Sequence, residues 1–90
     1  MAVRRGPVTL RVAKAVKVRN VLFAPGDYQA ERRQVGFALP GGDTKWTTPQ
    51  FSITLTGEQM RSMGAKKADK ALSIEYDLTK YVRSGVFVVV

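Results

Sequence analysis

The side chains with chemistry to offer in this chain are its cations. Fifteen Lys and Arg stand against seven Asp and Glu, a formal charge of +8 on 90 residues, which makes polyanions the natural partners. The cations are interleaved with strand-like segments and aromatics. Arg11, Lys17 and Arg19 share the outward parity of the first segment, Arg32 and Arg33 lie on the second, and Lys45 adjoins Trp46 on the third. If those segments are neighbours, they assemble a basic sheet face with one large ring in reach. Single-stranded nucleic acid is held by that combination, cations tracking the phosphates while flat side chains stack on bases. Duplex binding needs the cations without the ring.

Each piece also has a plainer use. A charged outer strand face is equally the solvated side of a half-buried sheet, and Trp46, like Tyr28 and Tyr76, suits a core as well as a base. Arg61, Lys66, Lys67 and Lys70 form a further cluster, either a solvated helix face or a second phosphate contact.

Catalysis has little to work with. The chain has no histidine and no cysteine, which removes the side chain that titrates near neutrality, thiolate nucleophiles, disulfides and thiolate metal sites. Of the carboxylates, Glu75 and Asp77 alone sit two apart on one strand face, and neighbouring Lys80 and Arg83 make them ion-pair partners rather than metal ligands. Pro40-Gly41-Gly42-Asp43-Thr44-Lys45 lacks the spacing of a phosphate loop and reads as a hairpin turn. No enzyme, metal or cofactor is expected.

The elements that must position these residues are mostly strands. Val8, Leu10, Val12, Val16 and Val18 alternate with polar residues, and the phase slips by one at Asn20 before Val21 and Phe23, as a β-bulge would make it slip, so a bent or broken first strand is expected. Ala24-Pro25-Gly26-Asp27 is a turn, and Tyr28 to Leu39 a second strand. The turn at Pro40-Gly41-Gly42-Asp43 then leads into a third strand over 44–55, interrupted at Pro49. Thr56 and Gln59 make a capping box, so a short helix starts there, ends near Gly64 or resumes through Ala71, and carries Met60 and Met63. A strand over 72–82, whose end from Asp77 could instead be a helical turn, and the run Val86 to Val90 complete the order. Phe23, Phe37, Phe51 and Phe87 fall in apolar phase and are expected in the core.

The expected fold is therefore mainly β with one short helix, in the order β-β-β-α-β-β of a small, partly open barrel of about five strands, OB-like or SH3-like. Residues 1–7 are expected as a flexible basic N-terminus before a single β-rich domain over 8–90. No stretch is long and apolar enough for a membrane span or a signal peptide, so a soluble, cytoplasmic protein is expected. The expected function is non-enzymatic binding of single-stranded DNA or RNA, with little sequence preference, through Arg11, Lys17, Arg19, Arg32, Arg33, Lys45 and Trp46. One alternative is a structural or adaptor protein that forms a homo-oligomer, or docks on a protein, through edge strands such as Val86 to Val90. A second is a small β-ribbon regulator that reads duplex DNA.

Overall fold

The computed structural model describes residues 2–66 and 72–90. In chain order the elements are β1 (Ala2–Val12), β2 (Val16–Val18), β3 (Val21–Phe23), β4 (Gly26–Ala38), β5 (Thr44–Trp46), β6 (Gln50–Thr56), α1 (Gly57–Ser62), β7 (Ser73–Asp77), α2 (Thr79–Arg83) and β8 (Phe87–Val89). The protein is mainly β, as its alternating pattern requires. The main sheet is antiparallel and runs β7-β6-β4-β1-β8, with β5 also paired to β4, while β2 and β3 form a separate hairpin. Among the described residues the end strands β7 and β8 do not pair, so the sheet is open rather than a closed barrel.

One local expectation is corrected and two open alternatives are resolved. The expected flexible basic N-terminus is, over residues 2–7, part of a strand, because β1 starts at Ala2 and pairs with β4 without interruption from Ala2↔Gly36 to Val12↔Gly26. The first alternating run, expected to be bent or broken, is broken. It stops at Val12 and resumes as β2, and the phase slip at Asn20 is a tight hairpin turn in which Arg19 takes a φ of 55° while Val18 pairs with Val21. Of the two alternatives for the chain after Asp77, the helical turn is the one formed, as α2. The Asp77 carboxylate accepts from the Thr79 amide at 3.0 Å and from its hydroxyl at 2.6 Å, and both bonds hold that carboxyl below its usual range.

The capping box is present as read: the Thr56 hydroxyl accepts from the Gln59 amide at 3.1 Å, and the Gln59 side chain accepts from the Thr56 amide at 2.9 Å. The possible extension of α1 to Ala71 lies largely outside the described residues, as do Lys67 and Lys70. No helix among the described residues is long and apolar enough to cross a membrane.

The core lies at one end of the sheet. Leu10 and Val12 of β1 bury their side chains with Val21 and Phe23 of the small hairpin, Ile53 and Leu55 of β6, Met60 of α1, Tyr76 of β7 and Phe87 of β8. Edge-to-face aromatic contacts organise it, with ring centroids 5.2 Å apart for Phe23 and Tyr28 and 5.4 Å for Phe23 and Phe87. Tyr76 is fully enclosed, and its hydroxyl bonds to Met60 and Asn20. Tyr76 is thus core, and Tyr28 is half-buried against that core. Phe37 is not core: it is 49% exposed, because its end of β4 has run past the layer that would cover it. Continuation of β1 and β4 beyond the core produces an elongated molecule of 52 × 30 × 18 Å.

Candidate nucleic-acid interface

Parity decides what the long β1–β4 ribbon shows on each face. Burial of Leu10 and Val12 fixes the even residues of β1 on the core side, so Arg4, Gly6 and Val8 continue that face toward the free end. The register sets Gln34 opposite Arg4, Arg32 opposite Gly6, and Gly36 opposite both Ala2 and Trp46. On the other face Arg5 stands directly opposite Arg33, and Lys45 opposite Phe37. Two like charges placed directly across a strand pair repel, an arrangement that an anion would relieve. Glu31 offers Arg5 a contact at 3.7 Å, but both groups are about half exposed, so the pair is weak.

Trp46 has a specific seat. The Arg4 guanidinium carbon lies 3.7 Å from the centroid of its ring, while a Cβ at Gly36 would fall 2.9 Å from the indole Cζ3 and 3.0 Å from Cε3. The indole therefore rests on bare backbone and carries an arginine on its face. Gly36 makes that approach possible. Thr47 anchors the strand that follows: its amide donates to the Val35 carbonyl at 2.9 Å, its hydroxyl accepts from the Val35 amide at 3.0 Å, and its carbonyl accepts from the Gln34 side chain at 3.0 Å.

The predicted site residues are not all brought together. Arg32, Arg33, Lys45 and Trp46 share the ribbon, divided between its two faces. Arg11 lies farther along the outer face and is held by Asp27 in two bonds of 2.7 and 3.2 Å. That pairing raises the pKa of Arg11 and lowers that of Asp27, each chiefly through the side-chain hydrogen bond. Lys17 and Arg19 sit on the separate β2–β3 hairpin, where the Arg19 guanidinium carbon is 5.5 Å from the Tyr76 ring centroid. Arg4, Arg5 and Gly6 were missed because residues 1–7 read as a flexible N-terminus, and Gly36 because its approach to Trp46 depends on the strand register. The repeated dipeptides Arg4-Arg5 and Arg32-Arg33 were the available signal.

Pro7 also has its place. The Val90 amide donates to the Thr9 carbonyl at 3.0 Å, which shows that the odd residues of β1 turn their backbone groups toward the β8 side. Beyond β8 that edge is free among the described residues, and Pro7 brings no N–H to it, so an added strand would lack a donor midway.

Compared with known proteins, the chain matches no family model, no curated protein and no solved structure.

Proposed function

We propose that the protein binds nucleic acid through its β1–β4 ribbon, gripping the sugar-phosphate backbone of a duplex, and that it is not an enzyme. The observation that carries this reading is the crossing of Arg4-Arg5 with Arg32-Arg33 in one register, with Lys45 beside them on β5. The ribbon projects past the core, as an element that reaches into or along a groove must. Stacking on single-stranded bases is less well supported, since Arg4 already covers a face of Trp46. Asp27 and Asp77, each held below the ordinary carboxylate range by structural hydrogen bonds, are poor general acids. A cytoplasmic setting suits this reading.

The test is a titration of the protein with duplex DNA, single-stranded DNA and RNA at two salt concentrations. Duplex affinity should fall with a log–log slope of about −0.9 per neutralised phosphate. Binding that needs single strands and quenches Trp46 would return the reading to base stacking, and absence of binding to all three at low salt would end it.

A second reading, self-association, is supported by β8. Phe87 is buried, but Val86, Val88, Val89 and Val90 are 36–55% exposed on an uncharged terminal strand. Light scattering on the wild type and on Val88→Lys tests it. A concentration-dependent dimer abolished by the substitution is the supporting result.

A further inference from the structure

Resting on the ribbon reading above, we propose that the core-side face of the ribbon holds a phosphodiester-binding recess, with Gly6 as its floor and Arg4 and Arg32 as its walls. Gly6 lies in the interior of β1, where a glycine weakens a strand and often marks the close approach of a ligand or another backbone. Neither reason that holds for other glycines here applies to it. Its φ is outside the left-handed region, unlike that of Gly26 or Gly64, and nothing lies within 4 Å of a Cβ placed on it, unlike Gly36. The missing side chain leaves a recess of about 230 Å³ lined by Arg4, Arg5, Gly6, Pro7, Val8 and Arg32. One water needs about 10–15 Å³ of such space, so a phosphate group has room.

The lining is cationic with no carboxylate. Guanidinium groups bind phosphate oxygens through paired N–H donors, and the seat of Arg4 on Trp46 limits the freedom it would lose on binding. The recess on the opposite face differs in kind. There Arg5 and Arg33 are joined by Glu31, Glu75 and Asp77, whose charge opposes an incoming phosphate. The core-side recess is therefore where a backbone phosphate docks.

Gly6→Val fills the recess without touching a charge, and valine suits a strand better than glycine. The wild type and Gly6→Val are titrated with a short duplex across a salt series, with circular dichroism to verify the fold. The variant should lose about tenfold in affinity at 0.1 M salt, and its log–log slope should flatten by about 0.9, the contribution of one phosphate. A folded Gly6→Val with unchanged affinity and slope overturns the recess while leaving the ribbon reading intact. A wild type that binds no duplex overturns the ribbon reading instead. In that case the recess stands on free phosphate alone if inorganic phosphate shifts the Gly6 amide resonance of the wild type, and it falls if the resonance does not move. Should Gly6→Val fail to fold, the same amide mapping on the wild type with duplex decides: shifts at Gly6 and Val8 support the recess, and their absence overturns it.

Discussion

The core end and the ribbon end of this molecule are built from the same two strands, and they differ in what those strands meet. At Leu10, Val12 and Tyr28 the even face of the β1–β4 pair is covered by the small hairpin, with Phe87 of the neighbouring β8 in the same cluster, and its residues are apolar. A few residues farther along, the same face carries Arg4, Gly6, Arg32 and Gln34, none of which is buried. The pleat is unchanged. Where a second layer covers the face, desolvation selects leucine and valine. Where none does, the face can hold charge, and here it holds charge of one sign. A two-stranded hairpin alone is marginal in water, so the ribbon borrows its stability from the core and from β5 and β6 along β4.

The contrast should be widest in aromatic truncation. Phe23→Ala, at a fully buried site touching Tyr28 and Phe87, should cost about 3–5 kcal/mol and threaten the whole fold. Trp46→Ala, on the half-buried ribbon, should cost closer to about 1 kcal/mol, mostly the lost cation–π contact with Arg4. Chemical denaturation of both variants measures the difference. Equal losses would mean that the ribbon and the core are one cooperative packing unit.

An effect smaller than that at Phe23 is expected where the ribbon is tightest. Gly36→Val places carbon within 2.9 Å of both the indole and Thr44 Cγ2, so Trp46 must leave its seat, at about 1–3 kcal/mol. Its fluorescence should shift to longer wavelength. An unshifted spectrum would show that the seat is looser than the geometry describes.

The smallest effect belongs to acid. Asp77 has a lowered pKa in the folded chain through its bonds to Thr79, so its contribution to stability is complete above the ordinary carboxylate value of 3.8 and is lost as pH falls below it. Asp77→Asn should reduce the decline of Tm on the acid side, at about 0.5–1.5 kcal/mol of stability near neutral pH. A wild type whose Tm does not move as pH falls from about 5 to about 3, a window that brackets the ordinary carboxylate value, would contradict this.

Much of the core end was legible in sequence because its signals are local. The Thr56 and Gln59 cap and the alternation of Phe51, Ile53 and Leu55 each need only near neighbours to be read. The ribbon was not legible, because its content is a register. Nothing in the order of residues says that Arg5 meets Arg33, that Trp46 lies on Gly36, or that Phe37 has outrun its cover. Pro7 misled for a related reason. It breaks a paired edge, and only the pairing of β1 with β4 on its other side reveals that the edge it faces is free.

The central claim, that place rather than net charge makes the ribbon a nucleic-acid interface, is tested most directly by two quadruple variants that remove the same charge. One carries Arg4→Gln, Arg5→Gln, Arg32→Gln and Arg33→Gln on the ribbon. The other carries Lys14→Gln, Lys17→Gln, Lys66→Gln and Lys80→Gln, all exposed and away from it. Each is titrated with duplex DNA over a salt series. The ribbon variant should lose most of its affinity, with a slope shallower by about 3–4 units, while the other stays close to wild type. Equal losses in both would contradict the account, because binding would then follow total charge and the ribbon would be no more than its longest strand pair.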